Sequence, residues 1–255
     1  MDRRCFLGAA CLAGAMSPPA HGARVEPAAL EVVSHYDYPP FITGPGEGLS
    51  HDLLAWMRGE LRLNAEFSLL PRPRLTRRVS ENNWQGCVPW VNPVWFGDEA
   101  MQRFVWSAPV MNDEDLVLQR AGLALDYRGP ASLHGLTVGG VLGHVYADID
   151  PAVKAGRVRR EDAVSTELSL RKLLRGRVDV VFLSRSGLPW WLQRLPELQQ
   201  GVVVAPVPRQ SFQRFLMLSP QMQAATRDAV FDGVAQMRSN PGWRRVLARY
   251  GLSPA

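Results

Sequence analysis

Short apolar segments alternate with amphipathic segments along most of the chain, and this alternation limits the fold more than any other feature of the sequence. The apolar segments have the length and the β-branched content of buried strands, as at 178–183. The amphipathic segments repeat leucine or methionine at helical spacing, as at 53–61. Strands that alternate with helices pair in parallel, because each helix carries the chain back over a face of the sheet. The sequence therefore predicts an α/β fold.

Individual elements follow from the same patterns. Strands are predicted at 32–36, 65–69, 87–91, 115–119, 136–141, 178–183, 202–205 and 215–218. Helices are predicted at 50–61, 75–81, 166–175, 221–237 and 242–250. We expect Ser50 to cap the first helix, and Ser165 or Thr166 to cap the third. A change in polarity near Gly129 predicts that a second α/β set begins there.

The run Tyr-Asp-Tyr-Pro-Pro-Phe at 36–41 follows the first predicted strand. Proline fixes φ and has no backbone N–H to give to a sheet, so the pair at 39–40 ends that strand abruptly. The aromatic rings are then left at the carboxyl edge of the strand, where open α/β sheets bind their ligands. The sequence predicts a small-molecule site at this edge.

Residues 1–23 have the pattern of an export leader. Arg3 and Arg4 precede a short apolar stretch, and the small residues at 17–23 suit cleavage by a signal peptidase. The order Arg-Arg-x-Phe-Leu resembles a twin-arginine signal, the class that carries folded proteins across a bacterial inner membrane. An ordinary secretory leader is the alternative. Both alternatives predict a periplasmic protein with a signal peptide at 1–23.

The rest of the chain lacks the marks of several other protein classes. Its formal charge falls from +5 to about +4 without the leader, and we interpret the basic clusters at 72–78 and 157–160 as solvated surface, with no nucleic-acid partner. No later segment has the roughly 20 apolar residues of a membrane span. No motif for a metal or a cofactor is present. Cys87 has no partner cysteine beyond the leader and is expected to be buried.

Six short motifs follow one another in an order typical of one protein family. They are YPPF at 38–41, GLSHDL at 48–53, VWSAPV at 105–110, LHGLTVG at 133–139, LRGRVDVV at 174–181 and NPGWRRVLARYG at 240–251. Together they resemble the periplasmic type 2 solute-binding proteins of extracellular family 3, which serve ABC transporters. The resemblance extends over almost the whole chain beyond the leader.

This resemblance implies two α/β lobes, each a sheet flanked by helices, that are joined by a two-segment hinge and close on a ligand. Lobe 1 would comprise 24–115 and 213–255, and lobe 2 would comprise 116–212. The crossings would lie near 112–119 and 208–215, with the C-terminal helices returning to lobe 1. Such closure is a hinge motion, which a ligand shifts only through contacts that improve in the closed form.

Two departures from the family pattern bear on the ligand. Amino-acid binders of this kind usually hold the ligand carboxylate with an arginine seven residues before the serine of the Ser-x-Pro motif, and this chain has Ala100 there. They commonly hold the ligand ammonium with an aspartate at the position of Ser184. Arg103 and Arg185 lie near these positions in sequence. They either substitute in part for the missing anchors or lie on the surface. The loss of both charged anchors argues against a simple free α-amino acid as the ligand.

Aromatic and neutral polar residues occupy the corresponding positions. Trp90 and Asn92 stand where the resemblance puts a pocket-lining turn, and Ser107 is the serine of the Ser-x-Pro motif. Tyr36 and Tyr38 belong to the aromatic edge, as ligand contacts or as core. The remaining tryptophans of this half are interpreted as core, namely Trp84, Trp95 and Trp106.

In the second half, the turn Gly143-His144 leads toward a helix whose amino end suits an anionic group. Gly143 and His144 are therefore candidate ligand contacts, with helix capping as the alternative for the histidine. Ser184 completes the predicted site. Trp190 and Trp191 are interpreted as packing under a loop.

The sequence thus predicts reversible binding of a small organic solute for a membrane permease. One alternative is a sensing or delivery subunit for another membrane receptor, since both roles use the same closing cleft. A cleft enzyme, a dehydratase or hydrolase, is the other alternative. The candidate acid and base groups for catalysis are few, and no serine elbow or phosphate loop is present, so we assign no catalytic residue.

Overall fold

A computed structural model describes residues 29–237 and 239–252. The predicted leader, with Cys5 and Cys11, lies outside the described residues. The strands are β1 (Leu30–Ser34), β2 (Ala65–Leu69), β3 (Gly86–Val91), β4 (Val105–Trp106), β5 (Met111–Arg120), β6 (Thr137–Val141), β7 (Arg159–Ala163), β8 (Val180–Ser184), β9 (Val202–Val204) and β10 (Gln210–Leu218). The helices are α1 (Leu49–Gly59), α2 (Arg72–Arg78), α3 (Asp150–Lys154), α4 (Thr166–Leu174), α5 (Leu188–Arg194), α6 (Leu198–Gly201), α7 (Ala224–Met237) and α8 (Pro241–Arg249). Over the described range, no helix combines the length and the apolar character needed to cross a membrane.

The sheet has a parallel group of strands at each end and antiparallel crossing strands between them. Its main path is β2-β1-β3-β10-β5-β8-β6-β7, with β4 beside β10 and β9 beside β5. The pairs of β1 with β2 and β3, and of β6 with β7 and β8, are parallel. The central strands β5 and β10 pair antiparallel from Met111↔Arg214 to Asp115↔Gln210. The α/β layering predicted from sequence is confirmed, and the predicted crossings fall on β5 and β10.

The apolar interior divides at these crossing strands. One cluster contains β1, β3, α1, the last part of β10 and the C-terminal helices, within 30–111 and 216–247. Two further clusters lie within 116–205. Because an apolar core identifies an independently packed unit, we retain the predicted lobe bounds as a proposal that agrees with this division.

Helix α1 begins differently from the sequence prediction. Its N-cap is Gly48, with φ 118° and ψ 168° and no side-chain cap, so the prediction that Ser50 caps this helix was wrong. Ser50 is buried, and its hydroxyl accepts a hydrogen bond from Trp90 Nε1 at 3.0 Å. In contrast, Ser165 caps α4 by accepting from the backbone N–H of Leu168, as predicted.

The basic cluster at 157–160 was interpreted as solvated surface, but part of it forms strand β7 on the edge of the sheet. Arg160 is largely buried and donates to Asp162 at 2.8 Å and to the His144 carbonyl at 2.7 Å. A Cβ at Gly140 would lie 2.2 Å from the Asp162 carboxylate, so a larger residue there would displace this ion pair. The surface interpretation was therefore wrong for Arg160.

The C-terminal helices pack on the first half of the chain. Asn240 caps α8 by accepting from the Trp243 N–H at 3.0 Å, and Pro241 follows at the first helical position. Trp243 is buried, with its ring 5.8 Å from that of Trp56 on α1. Cys87, on β3, is fully buried, which raises the pKa of its thiol to about 12.

Candidate functional site

Aromatic rings collect at the carboxyl end of β1, at the edge that the sequence indicated. The Tyr36 ring lies 4.0 Å from that of His35, 5.0 Å from Phe41 and 5.5 Å from Tyr38, measured between centroids. Tyr36 and Phe41 are buried, whereas Tyr38 is partly exposed. The outer ring of the group, Tyr38, therefore borders solvent.

Gly48 fixes this aromatic segment against the start of α1. The Leu49 N–H donates to the Pro40 carbonyl at 2.8 Å, and the Ser50 N–H donates to the Phe41 carbonyl at 3.1 Å. A Cβ at Gly48 would lie 2.4 Å from the Phe41 carbonyl oxygen. Its φ and ψ also fall in a region that is essentially restricted to glycine.

Arg214, on β10, is a buried cation that sequence analysis missed. Its side chain is 2% exposed and its Nε donates to Asp113 at 2.7 Å, while Nη1 donates to the Trp90 carbonyl at 2.8 Å. Four rings surround the guanidinium carbon, namely Phe41 at 4.8 Å, Phe212 at 5.1 Å, Tyr36 at 5.2 Å and Trp95 at 5.4 Å. Burial is the largest single effect and lowers the pKa of Arg214, but the charge and hydrogen bond of Asp113, together with the nearby Tyr36 and Tyr38, raise that pKa on balance.

Asp113 extends this contact to the other half of the molecule. Besides Arg214, it accepts hydrogen bonds from the Ser186 N–H at 3.0 Å and the Ser186 hydroxyl at 2.8 Å. Ser186 follows β8, and Trp90 lies near the end of β3. A continuous buried network therefore links β3, the two crossing strands and the turn after β8.

Arg72, the first residue of α2, points toward the aromatic edge. It donates to the Trp95 carbonyl at 2.5 Å, stacks over the Phe96 ring at 4.1 Å and lies 3.5 Å from His35 Nε2. The side chain is only partly exposed. The interpretation of the basic cluster at 72–78 as solvated surface was therefore wrong for Arg72.

His35 is uncharged in this environment. Burial is the largest cause, followed by the positive charges of Arg72 and Arg214 and by the nearby His144, and together they lower the pKa of His35 to about 3. Its Nδ1 is buried without a hydrogen-bond partner among the described residues. The ring therefore offers one unmatched polar atom beside two guanidinium groups.

The opposing wall is formed by the turn after β6. His144 is exposed, and its ring centroid lies 6.5 Å from that of Tyr38 and 6.3 Å from that of Tyr146. Gly143 has φ 83°, which gives the tight turn, and the bond from Arg160 to the His144 carbonyl holds it. The structure thus brings Tyr38 and His144, which were both predicted from sequence, within 6.5 Å of each other between ring centroids, with their planes tilted by 57°.

A second buried arginine lies in the same wall. The Arg209 side chain is 6% exposed and lies 3.4 Å from the carboxylates of Asp115 and Asp148. Its guanidinium also stacks over the rings of Tyr146 and Phe182. Burial is the main cause that raises the pKa of Asp115.

The two halves also meet at Gly187, beside the Pro39 carbonyl. A Cβ at Gly187, in the turn after β8, would lie 2.9 Å from the Pro39 carbonyl oxygen and 3.2 Å from the Ser184 hydroxyl. Ser184 is buried, pairs with Asp115 in the sheet, and its hydroxyl has no hydrogen-bond partner among the described residues. This unmatched hydroxyl therefore lies beside the junction of the halves.

The other predicted site residues lie in the walls. The Trp90 ring is 1% exposed and packs in the core, while its backbone carbonyl carries the contact to Arg214. Asn92 accepts from the Val94 N–H at 3.0 Å and donates to the Gln213 carbonyl at 2.9 Å. Ser107 accepts from the Leu216 N–H at 3.0 Å. These side chains attach the turn after β3 and the Ser-x-Pro segment to β10.

No protein-family model and no curated protein sequence matches the chain. Several solved structures are similar to it. An ancestral arginine-binding protein bound to arginine has a TM-score of 0.66 at 15% identity, covering 87% of this chain and 97% of that one. The GluR0 ligand-binding core from Nostoc punctiforme, in complex with L-glutamate, has a TM-score of 0.64 at 17% identity, covering 87% and 98%.

A third similar structure is an ancestral amino-acid-binding protein described as a precursor of cyclohexadienyl dehydratase, with a TM-score of 0.63 at 15% identity, covering 87% of this chain and 94% of that one. Likeness at this level of identity shows the fold. The chain has the two-lobed α/β fold of type 2 periplasmic binding proteins, and the predicted fold class is confirmed.

Proposed function

We propose that the chain is a solute-binding protein that takes up a small organic solute between its lobes and releases it unaltered. The observation that carries this proposal is the pairing of Tyr38 with His144 across the cleft. Rings and charged groups from the carboxyl edges of both sheets meet at the place where α/β sheets bind ligands. The two crossing strands supply the hinge that opening and closing require.

Within this site, the exposed or partly exposed groups and the unmatched hydroxyl of the buried Ser184 are proposed to touch the solute. Tyr38, His35 and Arg72 would do so from lobe 1, and His144 and Ser184 from lobe 2. Tyr36, Trp90, Asn92 and Ser107 would hold the walls in place, since their polar atoms or rings are engaged within the protein. Gly143 would set the position of His144.

The solute is proposed to be other than a simple free α-amino acid. Ala100 lies on an exposed turn and brings no positive charge, and Ser184 offers a hydroxyl in place of a carboxylate. Arg72 offers a guanidinium from a different element, and such a fork pairs well with a carboxylate. The similar structures bound to arginine and glutamate support a ligand cleft, but these two substitutions argue for a different ligand class.

The biological setting is proposed to be the periplasm, reached through the twin-arginine leader, with delivery to an ABC permease. A membrane receptor is the alternative partner for the same closing cleft. Catalysis is the weaker alternative, although one similar structure is a precursor of a dehydratase. A general base works best with a pKa near the operating pH, and the pKa of His35 is about 3.

A ligand screen tests this function. The chain without residues 1–23 is subjected to thermal-shift measurements with organic acids, aromatic acids, amines and amino acids, followed by titration calorimetry and mass spectrometry of the recovered compound. We expect an anionic compound to raise the melting temperature, because a ligand of the folded state stabilises it by mass action, and to be recovered unchanged. Strong stabilisation by common amino acids would contradict the proposed ligand class, and a chemically altered compound would contradict reversible binding.

A further inference from the structure

The surroundings of Arg214 have the composition of a binding site for a cation. Four aromatic rings, a buried carboxylate and a backbone carbonyl enclose one guanidinium. Ring faces attract cations, and a carboxylate accepts a guanidinium through charge-assisted hydrogen bonds. We call this enclosure the cation cage, defined by Tyr36, Phe41, Trp95, Phe212 and Asp113. A protein side chain occupies it.

The cation cage adjoins the proposed ligand cleft. Tyr36, one of its walls, is 5.5 Å from Tyr38, and Tyr38 is 6.5 Å from His144 across the cleft. Arg214 is also close enough to His35 for its charge to lower the pKa of that histidine. Two rings, those of Tyr36 and Tyr38, thus lie between the guanidinium of Arg214 and His144 on the other lobe.

We propose that Arg214 is a specificity-determining residue, because its guanidinium fills the cation cage and leaves the cleft to solutes without a cationic head group. This inference rests on the proposed function and refines its ligand class to small organic anions or neutral solutes. Asp113 is already paired with Arg214, so a second cation would find no free carboxylate there. It would meet the positive charges of Arg214 and Arg72 instead, and like charges placed together oppose binding.

The test removes the guanidinium of Arg214 and offers a free guanidinium compound in its place. Arg214→Ala would empty the cage, and methylguanidinium is the probe because it has the shape and charge of the lost group. At millimolar concentration it is far below the molar range in which guanidinium salts denature proteins. Thermal shift and titration calorimetry are carried out on this variant, on the unaltered chain, and on Arg214→Lys, which keeps a cation in the cage. Arg120→Ala is the matched control, since Arg120 pairs with Asp179 near the surface.

We expect methylguanidinium to bind Arg214→Ala at least about 10-fold more tightly than it binds the unaltered chain, Arg214→Lys or Arg120→Ala. Folding of Arg214→Ala only in the presence of methylguanidinium would also support the inference. Equal binding by all four proteins would overturn it. So would failure of Arg214→Ala to fold with the probe present, because an accessible cage would accept the free cation.

The unaltered chain provides a second measurement that does not depend on the variant. Arginine, agmatine and methylguanidinium should leave its melting temperature unchanged at concentrations where organic anions raise it. Tight binding of arginine by the unaltered chain would overturn the inference even if reversible binding of a solute holds. If the unaltered chain binds no compound at all, the proposed function fails, and the comparison of Arg214→Ala with Arg214→Lys still decides whether Arg214 fills a cation site.

Discussion

Arg72 combines two roles at the scale of a single residue, because its guanidinium both borders the cleft and acts on the charge of a neighbour. It lies 3.5 Å from His35 Nε2 and contributes to the lowered pKa of that histidine. A positive charge disfavours a second one nearby. The same charge that, after burial, helps to keep His35 neutral is therefore proposed to attract an anionic solute.

Arg72→Gln should raise the pKa of His35 above about 3, because one of the charges that oppose protonation is removed. That pKa should stay below the ordinary histidine value, since burial is the larger cause and persists. The same change should weaken an anionic ligand by about 10-fold or more, given a charge-assisted hydrogen bond worth about 1.5–3 kcal/mol. NMR titration of the imidazole and calorimetry with the screened ligand provide the two measurements.

Arg74→Gln is the control for that change, because Arg74 lies on the same helix but is exposed. It should alter neither the pKa of His35 nor the affinity. If both variants weaken the ligand equally, the effect comes from the overall charge of the lobe, and Arg72 has no direct contact with the solute.

The individual residues show why part of the site could be predicted and part could not. Tyr38 and His144 follow strands, so the pattern of elements was enough to predict that they reach one edge. Arg214 and Asp113 are 101 residues apart in sequence. They meet because the crossing strands are neighbours, and no local pattern in the sequence carries that pairing. Arg72 was missed because a proline-interrupted basic run is typical of surface.

At the scale of elements, the N-terminus of the C-terminal helix α8 is determined by residues close to it in sequence. Asn240 accepts from the Trp243 N–H, Pro241 comes first in the helix, and Trp243 then packs against Trp56. Each of these features is favoured at a helix N-terminus or in a core. The predicted start at 242 differs from the observed start by one residue.

Asn240→Ala should lower the free energy of unfolding by about 1 kcal/mol, because the capping acceptor of α8 is removed. Asn240→Asp should retain most of the stability, since a carboxylate also accepts at this position and is favoured by the helix dipole. Urea denaturation followed by tryptophan fluorescence measures both. Equal losses of stability in the two variants would show that the Asn240 side chain stabilises the protein by an interaction other than the helix cap.

Two features that the sequence did not predict, strand β7 and the cap of α1, have separate physical causes. Strand β7 is an edge strand in which charged residues alternate with few apolar ones, so it lacks the pattern of a buried strand. Helix α1 begins at a glycine selected by backbone geometry, and the nearby Ser50 was the more usual cap. In contrast, β3 is buried along its whole length and was predicted within one residue, and the partly exposed β2 was predicted at its observed bounds.

At the scale of the whole molecule, the pair of Asp113 and Arg214 on the crossing strands belongs to a hydrogen-bond network that reaches lobe 2 through Ser186. Both side chains are almost fully buried, and the network continues to Trp90 on one side and Ser186 on the other. If one of two paired buried charges is removed, the other stays buried without a partner, which destabilises the fold. The stability of the hinge region therefore depends on this single pair.

Asp113→Asn should lower the free energy of unfolding by about 3–5 kcal/mol, because it leaves the charge of Arg214 buried without its partner. Asp126→Asn is the control, since Asp126 is exposed and pairs with Arg128 at 3.0 Å; it should cost less than about 1 kcal/mol. Urea unfolding of both variants provides the comparison. A loss below about 1 kcal/mol in Asp113→Asn would show that water or another group compensates Arg214.

The burial of Cys87 has a practical consequence for observing lobe movement. The thiolate is the form that reacts with labelling reagents, and a thiol whose pKa is about 12 supplies almost none of it near neutral pH. Fluorophores can therefore be attached to cysteines introduced at exposed positions, such as Ala100 on one lobe and Gln200 on the other. Energy transfer between the two dyes would then record each opening of a single molecule without any change to the native thiol.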